Sequence, residues 1–323
     1  MPSSRHIVSD FIKRSDVQPA QINDALYCTQ VYPTINNWVK FIDRLLLCLG
    51  ALSLAFSVLF FIAYNWDDWG RFEKFTLLES LLAATIFLYW RSPKDSLKAQ
   101  MSLLVGCLMV GVLMAFFGQT YQTGADPWTL FFFWALLITP WVVIARFAPL
   151  WLSWLGLLNV ALSLYIDTFG LPLTDFFSAD DSLWVALFIF NSMALIVLEL
   201  TSGRLNYLSP RWLARCIASL AGFMITFIAI DTIIDSHDTS LWPFLFWNFF
   251  IVSLYVVYRH LRCDLFMLAG GCLSGIVVIV TFSIERLNDD FVEIFFLLIS
   301  ALIIGLTSLA TIWLKKVNKE MLS

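Results

Sequence analysis

The sequence predicts an all-α, polytopic transmembrane helical bundle with about ten spans and both termini on the inner side. Of the 323 residues, 60% are hydrophobic and 14% are charged, and the mean hydropathy is +0.80. About a quarter of the residues are charged in a soluble domain, so an ordinary soluble protein is excluded. The same hydrophobicity excludes a disordered chain. A net charge of -4 gives no electrostatic basis for binding nucleic acid.

Residues 1–44 are polar and are predicted to form a short cytosolic helical segment. Ile7, Val8 and Phe11 give one short helix an apolar side, and Asp16 is placed to cap a second helix. Pro33 is expected to end this segment before the first span. Such a segment is too short to bury a large core of its own, so we expect it to lie on or under the membrane bundle.

Ten apolar runs follow, each close to the roughly 20 residues that a helix needs to cross the hydrocarbon core. Residues 45–145 contain four of them, and residues 146–323 contain the other six and a short basic cytosolic tail. The predicted spans are Leu45–Tyr64, Phe72–Trp90, Met101–Gly118, Pro127–Ile144, Leu150–Phe169, Leu183–Leu200, Trp212–Ile230, Leu241–Tyr258, Leu265–Thr281 and Phe291–Leu314.

The distribution of Lys and Arg sets the predicted orientation. With the N-terminus inside, all but three of the 20 basic residues fall in inner segments, the exceptions being Arg71, Lys74 and Arg286. Cytosolic loops carry this excess of Lys and Arg, so both termini are predicted to be cytoplasmic. Most of the 24 acidic residues fall in outer segments. An anionic outer face attracts cations, although solvated loops unconstrained by topology give the same pattern.

Glu79 lies inside the second predicted span, where an ionisable side chain is costly and therefore a functional candidate. With Thr76, Ser80 and Ala83 it forms a small, polar stripe at helical spacing, which we expect to face the bundle interior. Two interpretations stay open. Glu79 either binds a cation or carries a proton, or it makes an interhelical hydrogen bond worth about 0.6–2 kcal/mol.

Two predicted outer segments combine polar and aromatic residues. The first joins spans one and two and contains Asn65, Trp66, Asp67 and Lys74; the second joins spans three and four and contains Gln119, Tyr121, Gln122, Asp126 and Trp128. Gly118 and Gly124 are expected to allow irregular backbone, so that residues 119–123 dip back towards Glu79. Asp126 is expected to cap the helix that starts at Pro127.

We call these two segments, with Glu79 as their floor, the outer cup. Its donors and acceptors suit a small polar or cationic ligand. The predicted ligand-binding residues are Asn65, Trp66, Asp67, Lys74, Glu79, Gln119, Tyr121, Gln122, Asp126 and Trp128. The alternative is that the two loops only brace each other as a structural cap.

Both outer segments carry a resemblance to a known family. The stretch FFIAYNWD at 60–67, with Lys74-Phe75 after it, resembles the first signature of the bacterial membrane family catalogued as "domain of unknown function 2157". The stretch YQTGADPWTLF at 121–131, followed by Trp134, is similar to the second signature. The likeness covers about residues 45–145. It implies a bacterial inner-membrane protein with an unassigned activity.

The leading functional hypothesis is a permease-like protein that binds a small polar or cationic solute in the outer cup. The second is a non-transporting scaffold or sensor that contacts envelope lipid or a membrane-protein partner. The sequence has no HExxH, GxSxG or Walker A motif, and its three histidines are scattered. An enzyme, a cofactor and a metal site are therefore not expected, and the expected partners are the lipid bilayer, a solute or another membrane protein.

Overall fold

The protein is described by a computed structural model over residues 35–64, 70–94, 96–171, 179–234, 241–286 and 292–322. These residues form ten α-helices and no strand, which confirms the all-α prediction. A 3-10 turn covers Asn206–Leu208, and a π turn at Val257–Leu261 continues the eighth helix. The helices are α1 (Ile35–Tyr64), α2 (Arg71–Arg91), α3 (Leu97–Tyr121), α4 (Pro127–Ala145), α5 (Ala148–Phe169), α6 (Ala179–Thr201), α7 (Arg211–Ile234), α8 (Trp242–Val256), α9 (Leu265–Arg286) and α10 (Val292–Leu322).

Each helix lies where one span is predicted, and most helix ends are within five residues of the predicted bounds. The largest difference is at α1, which begins at Ile35 rather than near Leu45. The last ten residues of the polar N-terminal segment therefore continue into the first helix. The two short helices predicted further upstream lie outside the described residues.

Eight of the helices, α3 to α10, are long and apolar enough to cross a membrane. Their outward side chains are largely apolar, as at Phe249, Leu297 and Ile304, which fits contact with lipid. α2 carries Glu73, Lys74 and Glu79 along its length. The chain is thus a membrane protein with several apolar helices, while the count of ten spans and the orientation of the termini stay predictions.

The described helices fall into two compact units, 35–121 and 122–322. In the first unit, α1 and α2 both pack against α3. Its core holds Ala55, Leu78, Met109 and Phe116. The Phe75 and Phe116 rings, with centroids 4.6 Å apart, join α2 to α3.

In the second unit, α7 is the central helix and packs against α6, α8 and α9. Small residues on α7 allow this close approach, since Ala221 and Ala229 are completely buried. α4 pairs with α5, and α10 packs on α9. An amide pair joins α5 to α6: the Asn191 Nδ2 donates to Asn159 Oδ1 at 2.5 Å, and the Asn159 Nδ2 donates to Asn191 Oδ1 at 3.2 Å.

Candidate functional site

The first predicted segment of the outer cup is described only in part. Asn65, Trp66 and Asp67 lie outside the described residues. After them, Glu73 accepts a hydrogen bond from the Gly70 backbone N–H at 3.0 Å and so fixes the start of α2. Lys74 is buried in the first unit, with 6% of the residue exposed. It therefore belongs to the packed side of α2.

The polar stripe of α2 faces away from the core of its unit. Thr76, Glu79, Ser80 and Ala83 are all exposed, so the expectation that this stripe faces the bundle interior is wrong. The physical reason is the competing apolar pattern of Phe75, Leu78 and Leu82, which packs against the core. The Thr76 and Ser80 hydroxyls donate hydrogen bonds to backbone carbonyls of α2 itself. Glu79 makes no hydrogen bond or ion pair with the described residues.

The second predicted segment is more helical than expected. α3 continues through Gln119 to Tyr121, so residues 119–121 do not form irregular backbone that dips back. Tyr121 packs on Phe117, with ring centroids 4.7 Å apart. The chain then turns through left-handed conformations at Gln122 (φ 45) and Gly124 (φ 63). Gln119 and Gln122 are exposed.

Asp126 and Trp128 open α4 in the second unit. Asp126 occupies the N-cap position, but its side chain makes no capping hydrogen bond, so the expected cap is wrong. Instead the Thr129 hydroxyl donates to the Asp126 carbonyl oxygen at 2.6 Å. Trp128 packs edge-on against Tyr165 of α5 at 5.1 Å. Its buried indole N–H has no acceptor among the described residues.

The densest polar constellation in the described chain is one that sequence reasoning missed. We call it the arginine cluster. It joins the end of α6, the start of α7, the π turn and the start of α9, all within the second unit. Its members are Glu199, Arg211, Arg215, Tyr258, Arg262 and Asp264.

Asp264 is the buried centre of the arginine cluster. Arg215 donates to both of its carboxylate oxygens, from Nε at 3.2 Å and from Nη2 at 3.1 Å. Arg211 Nε lies 3.3 Å from Asp264 Oδ2. The Phe266 backbone N–H donates to Asp264 Oδ1 at 3.1 Å. A buried carboxylate is stable only with such paired and hydrogen-bonded surroundings.

Glu199 is the second carboxylate of the cluster. It accepts a hydrogen bond from the Tyr258 hydroxyl at 2.9 Å and forms an ion pair with Arg211 at 3.3 Å. Arg262 Nη2 donates to the Glu199 backbone carbonyl at 2.7 Å. Three guanidinium groups therefore meet two carboxylates, which leaves a formal excess of one positive charge at this end of the unit.

A cavity of about 400 Å³ lies between α7, α8 and α9. We call it the apolar cavity, because hydrocarbon and aromatic groups form nearly all of its wall. Its rim includes the exposed residues Phe223, Phe266, Gly270 and Leu273, so the cavity opens onto the outer surface of these helices. The remaining wall includes Phe250, Ile251, Leu254, Met267 and Val277.

The few deep polar groups of the apolar cavity are already paired. Thr226 donates to the Gly222 carbonyl at 2.6 Å, and the Thr226 and Ser274 hydroxyl oxygens lie 2.6 Å apart. Trp247 Nε1 donates to Ser274 Oγ at 2.9 Å. With these bonds made, the wall offers little to a polar solute and favours an apolar occupant.

The cavity and the arginine cluster adjoin each other. The Arg215 guanidinium lies over the Phe266 ring, 5.4 Å from its centroid, and Phe266 lines the cavity. Ala218, the first lining residue of α7, follows Arg215 by one helical turn. An apolar cavity thus ends beside a partly exposed cationic group.

One signal in the sequence pointed to this region. Arg211 and Arg215 are four residues apart at the start of a span, which places both on one helix face. Taken from the sequence alone, they mark only the inner side of the membrane. Glu199 lies near the predicted inner end of the sixth span, which suggests contact with water, whereas the structure pairs it with Arg211 and Tyr258.

Within the described residues, no group of three or more His, Cys, Asp or Glu side chains is arranged to hold a metal ion. No curated protein and no solved structure shows a significant match to the chain. Residues 17–151 match the model of the family described as "Predicted membrane protein (DUF2157)". This match confirms the resemblance seen at 60–67 and 121–131 and extends the similarity to that family over residues 17–151.

Proposed function

We propose that the chain is a lipid-binding scaffold or sensor of the bacterial inner membrane, with both termini cytoplasmic and no catalytic role. The observation that carries the proposal is the apolar cavity between α7, α8 and α9. Its volume is within the range of about 300–1,000 Å³ that small-molecule sites have. The helices around it are long and apolar enough to lie in a membrane, so its open side faces lipid.

The length of the cavity supports an acyl chain as its occupant. The lining residues of α7 run from Ala218 to Ile230, and those of α9 run from Phe266 to Val277. At 1.5 Å per residue, these stretches are about 17–18 Å long. That is about half of the 30 Å hydrocarbon core, which matches the depth of one leaflet.

Filling the cavity tests the proposal. A Cβ added at Gly270, on the cavity rim, meets no atom within 4 Å, so Gly270→Leu is expected to occupy the cavity without a clash. Gly275→Leu is the matched control: it lies on the same helix with the same free space, and it does not line the cavity. Both changes replace a helical glycine by the same better helix former.

The measurement is photolabelling of the full-length protein with a phospholipid that carries a diazirine in its acyl chain, with native mass spectrometry of co-purified lipid beside it. We expect labelling of peptides from α7 and α9 and loss of labelling in Gly270→Leu but not in Gly275→Leu. Equal labelling of the two variants would overturn the proposal. A stoichiometric protein partner in place of lipid would do the same.

A second candidate function is the permease-like binding of a polar or cationic solute outside. The observation that favours it is Glu79, an exposed carboxylate in the body of α2 with no bond to the described residues. The same mass spectrometry with Glu79→Gln separates the two functions. A solute lost in Glu79→Gln and kept in Gly270→Leu supports the permease, whereas unchanged spectra for Glu79→Gln remove it.

A further inference from the structure

We propose that the arginine cluster binds the phosphate of an anionic phospholipid whose acyl chain lies in the apolar cavity. This inference rests on the proposed function and adds the headgroup class. The ligand would be a single amphiphile, with its charge at Arg215 and its tail along α7 and α9. Charge complementarity and the continuity of the two features carry the argument.

Arg215 provides the free donors. It uses Nε and one hydrogen of Nη2 for Asp264, which leaves Nη1 and the outer hydrogen of Nη2 unassigned to any described acceptor. Its side chain is 41% exposed, while the Asp264 side chain is 1% exposed. Asp264 therefore holds one edge of the guanidinium from inside, and the other edge is presented outward. A fixed guanidinium fork matches phosphate oxygens geometrically.

The neighbouring charges favour an anion at this position. Arg211 and Arg262 are both partly exposed, at 35% and 41%, and the cluster has one more positive than negative group. The dipole of α7 adds to the positive potential, because its positive end lies at Arg211. Basic groups between membrane helices on the cytoplasmic side are suited to anionic headgroups, and that is the side predicted for this cluster.

The headgroup and the tail fit one molecule. The Phe266 ring carries the Arg215 guanidinium on one side and forms part of the cavity wall. A phosphate bound by the outer edge of Arg215 is therefore next to the cavity opening at Phe266 and Gly270. A free phosphate ion would use the arginines and leave the apolar cavity unfilled.

The test compares phosphatidylglycerol and phosphatidylcholine with identical acyl chains, titrated against the full-length protein in detergent and detected by native mass spectrometry. The wild type is expected to prefer phosphatidylglycerol by about ten-fold: both lipids carry a phosphate, but only phosphatidylcholine adds a cationic choline, which the Arg215 guanidinium repels. In Arg215→Gln this preference is expected to disappear, so that the two lipids bind with about equal affinity.

Arg204→Gln is the matched control. Arg204 is an exposed arginine in the turn after α6, at the same end of the unit, and its side chain makes no bond to the described residues. Removing it changes the net charge by the same amount as Arg215→Gln does. The headgroup preference is expected to persist in Arg204→Gln. Equal loss in the two variants would show a general charge effect and overturn the assigned site.

A charge-balanced variant serves as the control for misfolding. Arg215→Gln/Asp264→Asn removes a cation and an anion together, so no buried carboxylate loses its partner. It is expected to keep a thermal transition and to lack the headgroup preference. A preference that survives in this double variant would contradict the inference.

Two further measurements distinguish a lipid phosphate from free phosphate, and the proposed function from the headgroup assignment. Excess inorganic phosphate is expected not to displace the lipid, and displacement would assign the cluster to a free anion instead. If Gly270→Leu keeps all lipid binding, the proposed function fails. If Gly270→Leu loses lipid while Arg215→Gln keeps the wild-type preference, only the headgroup assignment fails.

Discussion

Asn191 is completely buried in the second unit. Its side-chain amide both donates a hydrogen bond to the Asn159 side chain and accepts one from it. A second hydrogen bond runs from Asn191 Nδ2 to the Leu187 carbonyl of its own helix. In a membrane, where lipid offers no hydrogen-bonding partners, such reciprocal amides fix which faces of two helices meet.

Replacing one member of the amide pair is expected to destabilise the fold. Asn191→Leu removes the donor to the Asn159 side-chain oxygen Oδ1. We therefore expect the free energy of unfolding to fall by about 1 kcal/mol. Asn159→Leu/Asn191→Leu is expected to recover part of that loss, because neither polar group then remains. The measurement is a double-mutant cycle on thermal unfolding in detergent.

Asn248→Leu is the control for that cycle. Asn248 is exposed, and it donates to the Phe244 carbonyl of its own helix at 2.8 Å. Its replacement is expected to change the unfolding free energy by less than about 0.5 kcal/mol. An Asn191→Leu protein that unfolds at the wild-type temperature would show that the amide pair contributes nothing.

Single residues also show where a sequence rule fails. An ionisable residue in a span is expected to face the bundle, and this rule directed Glu79 inward. The apolar positions Phe75, Leu78 and Leu82 decide the buried side of α2 instead. The rule applies better to Lys74, which is buried although it belongs to a predicted outer segment.

At the level of elements, the end of α3 is where local backbone chemistry departs most from the sequence prediction. Helix geometry continues to Tyr121, and Gln122 follows in a left-handed conformation at φ 45. A residue with a Cβ carries about 1–2 kcal/mol of strain in that left-handed conformation. Glycine commonly ends helices for this reason, and here it arrives two residues later, at Gly124.

Relieving that strain is expected to stabilise the loop. Gln122→Gly should raise the unfolding free energy by up to about 1 kcal/mol, since the lost strain exceeds the added flexibility of the unfolded chain. Thr123→Gly is the matched control, because Thr123 does not have a positive φ and only the unfolded chain gains freedom. The measurement is thermal unfolding of both variants, compared with the wild type. If Gln122→Gly is destabilised as much as Thr123→Gly, then the left-handed turn carries no strain.

Helix positions were predictable from the sequence because hydrophobic length is a local property. Each of the ten apolar runs corresponds to one described helix, and the largest shifts are at the start of α1 and the end of α10. The apolar cavity was not predictable, since its wall comes from three helices and depends on how Gly222 and Gly271 meet bulky neighbours. Gly271, for example, would place a Cβ 3.5 Å from Leu254.

For the whole molecule, the arginine cluster shows the same difference between local and distant information. Arg211 and Glu199 are 12 residues apart, whereas Arg215 and Asp264 are 49 apart. Charge position along the chain predicted that these groups share one side of the membrane. It did not predict that they touch, because that depends on α6, α7 and α9 packing side by side.

The orientation of the whole chain has a direct test. In a protein whose other cysteines are replaced by serine, the exposed Cys263 is expected to react with a membrane-impermeant maleimide only after the inner membrane is opened. Thr123→Cys, in the same background without Cys263, is expected to react in intact spheroplasts. Labelling of Cys263 from outside would reverse the predicted orientation of both termini.

The π turn at Val257–Leu261 has a consequence for chain length. The Arg262 backbone N–H reaches back to the Val257 carbonyl at 2.9 Å, so this turn accommodates one residue more than an α-helical turn. Deleting one residue there would restore ordinary winding and rotate the following residues by about 100° around the helix axis. Arg262 and Asp264 would then leave their partners without any change of side chain. A deletion of this kind can therefore abolish the cluster while every one of its residue types is kept.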